Sequence, residues 1–280
     1  MSRDFKIYLI QREEVFMKVQ FVRTFILFLV VSVFFGCATA PQPGEKTSEG
    51  GQSLRVGVTP DFPPLVLKQG NQVAGIEADL AIMLGEELGR PVKFVEMKWD
   101  EQIPALLEGK TDIIMSSMTV TRERQVRIAF TEPFLKSGIV AAVRADDVAN
   151  YPTVESIMNV AGLVGVVPNT TGESFVQKNF PLAQKSYLSY RQAANELMQR
   201  RITMFIGDAP TVIWLVSENE SSLGGIWQPL NEDYLAWGIR KDDENLLARV
   251  NAALAQFRLD GRLDRVLQKW LPKQYLEKMK

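Results

Sequence analysis

The chain has 280 residues, of which 46% are hydrophobic and 23% are charged, a composition that predicts a sizeable buried core and excludes collagen-like and wholly disordered chains. Its 32 Lys and Arg residues nearly balance 33 Asp and Glu residues, so the net charge of −1 gives no sign of a nucleic-acid-binding surface. The absence of histidine excludes Ser-His-Asp and Cys-His catalytic systems and imidazole metal ligands, and a single cysteine excludes internal disulfides and thiolate clusters.

The N-terminal part of the chain has the pattern of a secretion signal. Residues 24–35 form an apolar run behind Lys18 and Arg23, and no acid lies between Met17 and Gly36. The run is shorter than the roughly 20 residues that a membrane span requires, so a transmembrane anchor is the weaker interpretation. Because three acids precede it, which is unusual for a signal segment, Met17 is an alternative start.

The single cysteine, Cys37, follows this run directly. The sequence FFGC at residues 34–37 resembles the lipobox of bacterial lipoproteins, although the phenylalanines depart from its usual leucine and small residue. We therefore predict a signal peptide over residues 1–36 and a lipid anchor on Cys37, with cleavage near residues 38–40 or a buried thiol as alternatives. Residues 37–53, rich in Pro, Gly, Ser and charge, are predicted to form a flexible tether.

From Leu54 onward, short apolar segments alternate with amphipathic helical segments, which favours an α/β fold built from parallel βαβ units. In the first half we predict strands at residues 54–58, 92–97, 112–115 and 138–143 and helices at residues 75–88, 101–108 and 122–127. In the second half we predict strands at residues 163–167, 203–206 and 234–239 and helices at residues 173–180, 191–200, 210–217, 244–259 and between Gly261 and Pro272. A phosphate-binding loop ending at Gly109-Lys110-Thr111 is excluded, because Pro104 stands where that motif requires glycine.

Four segments of this body carry a family resemblance. They are RVGVTPDFPP at residues 55–64, WDEQIPALLEG at residues 99–109, SSMTVTRER at residues 116–124 with AFTEPF at residues 129–134, and GVVPNTTGE at residues 165–173. In this order, and with Gly207-Asp208 beyond them, they resemble family 3 of the bacterial extracellular solute-binding proteins. The resemblance implies the type II periplasmic binding fold: two Rossmann-like lobes, joined by crossing strands at residues 138–143 and 234–239, with the ligand in the cleft. It assigns residues 54–140 and 237–280 to lobe 1 and residues 141–236 to lobe 2.

The resemblance also implies a pair of charged residues that bind an amino acid from opposite lobes. Arg124 corresponds to the arginine that binds the ligand's α-carboxylate, for which a guanidinium is suited by its two parallel N–H donors. Asp208 corresponds to the acid that pairs with the ligand's ammonium, since either charge buried alone would cost several kcal/mol. The alternatives are a surface arginine, as expected of Arg122 and Arg127, and a simple helix N-cap at Asp208.

Hydroxyl residues complete this predicted site. By the resemblance, the amide of Thr171 adds to the carboxylate site from lobe 2, while Ser117 and Thr119 offer a carbonyl, an amide and a hydroxyl from lobe 1. Thr170 and Glu173 fit a capping box, in which the hydroxyl and the carboxylate satisfy free amides at a helix start. Turn formation and helix capping alone are the alternatives for these residues.

Two aromatic residues and a threonine bear on which ligand is bound. By the resemblance, Phe62 and Trp99 correspond to the two aromatic positions that sandwich the ligand's side chain, with an ordinary core role as the alternative. Thr59 departs from the family, because relatives that take lysine or arginine have an acid there. An uncharged hydroxyl cannot neutralise a buried cation, so we expect a neutral polar or apolar amino acid.

Together these features predict a lipid-anchored receptor that captures an amino acid by lobe closure and delivers it to the permease of an ABC importer. We expect it in the cell envelope, in the periplasm or on the outer face of a membrane, as a monomer without metal, cofactor or nucleic-acid partner. Two alternatives are a dehydratase-like enzyme on the same fold, with Glu173 as general acid, and a ligand-sensing domain.

Overall fold

Two five-stranded mixed sheets organise the part of the protein that the computed structural model describes, residues 52–273 and residue 276. The predicted signal segment, Met17, Cys37 and all but the last residues of the predicted tether lie outside this part. No helix within the described residues is both long and apolar enough to cross a membrane.

The elements are numbered in chain order. The strands are β1 (Leu54–Val58), β2 (Asp61–Phe62), β3 (Val66–Gln69), β4 (Gln72–Ala74), β5 (Val92–Glu96), β6 (Ile113–Ile114), β7 (Ala129–Phe130), β8 (Leu135–Ser137), β9 (Ile139–Arg144), β10 (Gly162–Val166), β11 (Ala183–Tyr187), β12 (Met204–Asp208), β13 (Leu223–Ile226), β14 (Asp233–Leu235) and β15 (Gly238–Ile239). The helices are α1 (Ile76–Leu88), α2 (Gln102–Leu107), α3 (Arg122–Arg127), α4 (Val154–Met158), α5 (Thr171–Asn179), α6 (Tyr190–Met198), α7 (Ala209–Ser217), α8 (Glu244–Leu259) and α9 (Arg262–Trp270), with short 3-10 helices at Trp99–Glu101 and Ala145–Asn150.

The two sheets repeat one arrangement. Sheet 1, with the order β5-β1-β6-β15-β7, pairs β1 in parallel with β5 and β6 and places β15 antiparallel to β6 and β7. Sheet 2, with the order β11-β10-β12-β9-β13, pairs β10 in parallel with β11 and β12 and places β9 antiparallel to β12 and β13. We call the parts built on these sheets lobe 1 and lobe 2. The predicted parallel βαβ units are confirmed, but each sheet also holds an antiparallel strand that follows a crossing between the lobes.

The chain crosses between the lobes through an antiparallel ribbon of β8 and β14. At the first crossing only Gly138 separates β8 from β9, and a Cβ on this residue would lie 2.6 Å from the carbonyl oxygen of Asn231. The backbones therefore approach more closely than any side chain would allow. The predicted first crossing strand lies one residue later, at Ile139–Arg144.

The single strand predicted at residues 234–239 is wrong, because two elements occupy this stretch. β14 pairs with β8 in the ribbon, and β15 joins sheet 1 only after an interruption at Ala236 and Trp237. Trp237 is fully buried and stacks on Phe134 with ring centroids 5.6 Å apart. This buried tryptophan lies at the break between the pairing of β14 with β8 and the pairing of β15 with sheet 1. The apolar run in the sequence gives no sign that the chain changes partners there.

Candidate functional site

Lobe 1 contributes a polar turn that follows β6 and carries Ser117 and Thr119. The turn is buried, and Thr119 forms an isolated antiparallel bridge with Leu235 of the ribbon strand β14. Ser117 has a φ of 58°, in the left-handed region that serine rarely occupies. The Ser117 hydroxyl is buried and has no hydrogen-bond partner within the described residues.

Arg124 lies on the short helix α3, and its side chain contacts this turn. Its Nη1 donates a 2.8 Å hydrogen bond to the carbonyl of Thr119, and its guanidinium carbon lies 5.2 Å from the ring centroid of Trp99. Burial lowers the pKa of Arg124, although the charges of Asp208 and Asp233 oppose that shift. By contrast, Arg122 and Arg127 on the same helix are exposed to solvent, as expected.

Asp208 faces this region from lobe 2, at the end of β12 and immediately before α7. It is 6% exposed, its side chain makes no capping hydrogen bond, and Oδ1 is buried without a hydrogen-bond partner in the described part of the chain. Burial, followed by the charge of Asp233, raises the pKa of Asp208 to about 7, while Arg124 acts in the opposite direction. A simple capping role is therefore wrong for Asp208, and the carboxylate is close enough to Arg124 for their charges to interact.

The start of α5 lies across from the polar turn. The Oγ1 of Thr171 is 3.4 Å from the Oγ1 of Thr119, which joins the two lobes. Thr170 is the N-cap, since its hydroxyl accepts from the amide of Glu173 and donates to the carbonyl of Val167. The capping box predicted here is only half present, because the Glu173 carboxylate accepts from the amide of Asn169, outside the helix, instead of from the amide of Thr170.

Three aromatic residues meet where the lobes face one another. Phe62 packs edge-to-face against Trp99, with centroids 5.3 Å apart, and against Tyr190 of lobe 2, with centroids 5.7 Å apart. The Nε1 of Trp99 also donates a 2.8 Å hydrogen bond to the carbonyl of Asn169 in lobe 2. The two rings expected to lie on either side of a ligand's side chain instead contact each other edge-to-face, and a tyrosine that sequence reasoning missed, Tyr190, completes the cluster.

A cavity of about 450 Å³ opens beside this cluster and is lined from both lobes. Its lining includes Thr59, Phe62, Trp99, Asn169 and Tyr190. Neither Arg124 nor Asp208 lines it, but Trp99 contacts the first and Tyr190 interacts with the second. The aromatic cluster therefore borders both the cavity and the charged pair.

The hydroxyl of Thr59 is engaged by the protein itself. It donates to the carbonyl of Met97 at 3.0 Å and accepts from the Nε2 of Gln102 at 2.9 Å. Gln102 is fully buried, and Ser116 joins the network by accepting from the amide of Thr59. The side chains of Thr59, Gln102 and Ser116 carry hydrogen-bonding groups but no charge, while the charged residues that line the cavity, Asp61, Lys98 and Asp100, are exposed to solvent.

Sequence reasoning missed Asp233, Glu77, Tyr190 and Gln102, all of which contact or face predicted site residues. Only Glu77 left a local signal, because it shares the buried face of α1 with Leu80 and Leu84, where an acid is unexpected. Within the described residues, no group of three Asp, Glu, His or Cys side chains could hold a metal ion.

Comparison with known proteins gives consistent matches. A family model for bacterial extracellular solute-binding proteins, family 3, matches residues 54–273. ABC transporter arginine-binding protein 1 of Escherichia coli (strain K12) is 27% identical over 252 residues, covering 87% of this chain and 96% of that protein. The histidine-binding periplasmic protein of the same strain is 30% identical over 241 residues, covering 78% of this chain and 87% of that protein.

Solved structures of amino-acid-binding proteins match the fold of this chain. The ancestral amino acid-binding protein AncCDT-1, a precursor of cyclohexadienyl dehydratase, aligns with a TM-score of 0.73 at 32% identity, covering 79% of this chain and 96% of that one. A putative ABC transporter binding component from Wolinella succinogenes DSM 1740, complexed with lysine, aligns with a TM-score of 0.76 at 28% identity, covering 82% and 99% of the two chains. The predicted two-lobed type II periplasmic binding fold is thereby confirmed.

Proposed function

Because this chain belongs to family 3 of the bacterial extracellular solute-binding proteins, we propose that it captures an amino acid between its lobes and delivers it to an ABC importer. The observation that carries the proposal is the charged pair. Arg124 comes from lobe 1 and Asp208 from lobe 2, and the Asp208 carboxylate is buried with one oxygen unpartnered. An ionised carboxylate in such a place is costly unless a cation joins it, and the ammonium of an amino acid supplies that cation.

The ligand's carboxylate is assigned to the other half of the pair. Arg124 uses Nη1 on the Thr119 carbonyl, and its remaining guanidinium donors make no hydrogen bond within the described residues. A carboxylate bound there would lie near Thr171 at the start of α5, where backbone amides and the helix dipole favour an anion. Ser117 and Thr119 contribute their polar groups beside it.

Capture is proposed to proceed by closure about the β8–β14 ribbon. In the structure the lobes already meet through Trp99 and Asn169, through Thr119 and Thr171, and through the Phe62–Tyr190 contact. A ligand held by one charge from each lobe gains contacts only when the lobes are together, so it shifts the population towards the closed state.

We further propose that the ligand is neutral. The relatives bear the names of arginine, histidine and cystine, so the family accommodates both charged and uncharged side chains. In this chain the wall formed by Thr59 and Gln102 carries no charge, and the Thr59 hydroxyl is already hydrogen-bonded at 3.0 Å and 2.9 Å. A buried cationic side chain would find no counter-charge at this wall, because the two acids that line the cavity, Asp61 and Asp100, are exposed to solvent.

Export, a lipid anchor on Cys37 and action as a monomer complete the proposal. Export and the anchor rest on the sequence pattern of residues 17–37 and on a family that is described as extracellular. Radiolabelled palmitate incorporation, compared between the wild-type protein and Cys37→Ser, tests the anchor. Equal labelling of both proteins would contradict it.

Binding is tested by screening the twenty proteinogenic amino acids for a thermal shift and measuring the best of them by calorimetry. Arg124→Ala should abolish binding while leaving the thermal transition nearly intact, because the guanidinium makes one hydrogen bond to the fold. Arg122→Ala, which removes an exposed arginine from the same helix, is the matched control and should bind like the wild-type protein. Unfolding of Arg124→Ala, or undiminished binding by it, would contradict the assignment.

The enzymatic alternative draws on the likeness to a precursor of cyclohexadienyl dehydratase. Its candidate acid, Glu173, is partly buried, which favours the protonated form, but hydrogen bonds from the Asn169 amide, Lys185 and Tyr187 outweigh burial and lower the pKa of Glu173. A carboxylate held ionised in this way is a poor proton donor. Turnover of prephenate or arogenate by the purified protein would favour the enzyme instead.

A further inference from the structure

A buried acid in lobe 1, Glu77, contacts the predicted site from behind. The residue is 1% exposed, and its Oε1 accepts a 2.5 Å hydrogen bond from the amide of Ser117, forty positions later in the chain. Its Oε2 is buried and has no hydrogen-bond partner within the described residues. Glu77 itself does not line the cavity between the lobes.

The start of α1 fixes the place of Glu77. The amides of Ile76 and Glu77 donate to the carbonyls of Pro64 and Leu65, which seats the helix end on the segment after β2. Gly75 permits this approach, because it has a φ of 116° and a Cβ there would lie 2.6 Å from the Leu65 carbonyl oxygen. The backbone therefore delivers the Glu77 side chain to the polar turn.

The hydrogen bond from Ser117 holds an unfavourable conformation. A serine with a φ of 58° is uncommon, and such residues persist where surrounding contacts hold them, most often at functional sites. The peptide bond between Ser116 and Ser117 is trans, so an amide directed at Glu77 turns the Ser116 carbonyl the opposite way. Glu77 thereby sets the orientation of this peptide group.

We propose that Glu77 is a positioning residue for ligand binding: by holding the Ser117 amide, it fixes the direction in which the Ser116 carbonyl and the Ser117 hydroxyl meet the ligand's polar end. This inference rests on the proposed function, because it gives Glu77 a task in that same site. The buried and unpartnered Ser117 hydroxyl is a group that such positioning would present.

Stability alone does not account for Glu77. Burial raises the pKa of Glu77 to about 8, even though the hydrogen bond from Ser117 acts in the opposite direction. A carboxyl group with one buried oxygen unpartnered weakens a fold rather than strengthening it. A role in binding explains why an acid occupies the apolar face of α1.

The test measures affinity and stability in parallel on the full chain. The probe is the strongest binder among the twenty proteinogenic amino acids. Glu77→Gln keeps an oxygen acceptor at the same reach, and we expect its affinity to stay within threefold of wild type. Glu77→Leu removes the acceptor and should weaken binding at least tenfold. Glu77→Asp, which is one methylene shorter and cannot reach the Ser117 amide in the same way, should also weaken binding, and it replaces the leucine variant in the test if that variant fails to fold.

A matched control separates positioning from general destabilisation. The control is Leu80→Ala, because Leu80 lies on the same buried face of α1 and its side chain has no group that could hydrogen-bond to a site residue. It should lower the thermal midpoint more than Glu77→Leu does and leave affinity within threefold of wild type. Glu77→Leu should also be made in a Ser117→Gly background. There it should reduce affinity by a smaller factor than it does in the wild-type protein, because glycine adopts a φ near 58° without strain.

The outcomes are distinguishable. If the wild-type protein binds none of the amino acids, the proposed function fails and this inference fails with it. If the wild-type protein binds and Glu77→Leu or Glu77→Asp binds equally well, only the positioning role is overturned. If Leu80→Ala loses affinity in proportion to its stability, as Glu77→Leu does, Glu77 is structural and the inference is likewise overturned.

Discussion

Replacing Asp208 with asparagine should change stability and binding in opposite directions. In the folded protein, burial and then the charge of Asp233 raise the pKa of Asp208 from 3.8 to about 7. A carboxyl group whose pKa is higher in the folded than in the unfolded state stabilises fully below the unfolded value, and this contribution is lost as pH rises through the folded value. Over the window from pH 3.8 to about 7 the loss amounts to about 4 kcal/mol as an upper bound.

Asparagine cannot ionise and avoids this loss. We therefore expect the free energy of unfolding of Asp208→Asn at pH 8 to exceed that of wild type by up to about 4 kcal/mol, and we expect this difference to vanish below pH 4. Urea denaturation at pH values from 4 to 8 measures it, and subtracting one protein from the other cancels the titration of groups that do not interact with Asp208. Asp264→Asn, which replaces an exposed aspartate, is the control and should change stability by less than about 0.5 kcal/mol.

Binding should show the reverse effect. The same variant loses the partner of the ligand's ammonium, and truncating one member of a buried charge pair typically costs about 2 to 5 kcal/mol, or at least about thirtyfold in affinity. Calorimetry at pH 8 with the strongest amino-acid binder measures this loss. A variant that is less stable than wild type at pH 8, or whose stability difference is the same at pH 4 and pH 8, would refute the reasoning about the buried carboxylate.

Three other predictions follow from contacts described above. Trp99→Phe keeps an aromatic ring but loses the hydrogen bond to Asn169 across the cleft, so calorimetry should show an affinity lower by about fivefold, or about 1 kcal/mol; unchanged affinity would mean that this bond does not favour closure. Gly138→Ala places a Cβ 2.6 Å from the Asn231 carbonyl oxygen and should destabilise the protein by about 2 kcal/mol in urea denaturation; a neutral result would show that the crossing can relax. Glu77→Gln should remove a loss of stability that develops in wild type between pH 4.5 and about 8, because the folded pKa of Glu77 is raised; identical pH dependence of both proteins would contradict the burial of an ionisable group there.

The sequence predicted elements well where the signal is local. The bounds of β1 and α8 agree with prediction to the residue, since an apolar strand pattern and a 3.6-residue periodicity are both legible in the chain. The stretch from 234 to 239 was mispredicted because its two pairings are chosen by partners about a hundred residues away. The meander of β2, β3 and β4 was missed because its strands are only two to four residues long.

The candidate site shows the same division. Arg124 and Asp208 were found through motifs, and the structure brings both to the junction of the lobes. Tyr190 and Gln102 carry no local mark, because their roles arise from contacts with residues more than forty positions away in the chain. The engagement of the Thr59 hydroxyl by Met97 and Gln102 was equally invisible, although its lack of charge was not.

The position of β15 in sheet 1 has a consequence for the order in which the molecule forms. All strands of sheet 2 come from one continuous stretch, Ile139 to Ile226, whereas sheet 1 needs Gly238–Ile239 between β6 and β7. A chain that emerges N-terminus first can thus complete lobe 2 while lobe 1 still lacks its fourth strand. In refolding, where the whole chain is present, sheet 1 still requires the pairing of Gly238 with Ile114, which is more distant in sequence than any pairing in sheet 2. We therefore expect amide protection to appear in lobe 2 first.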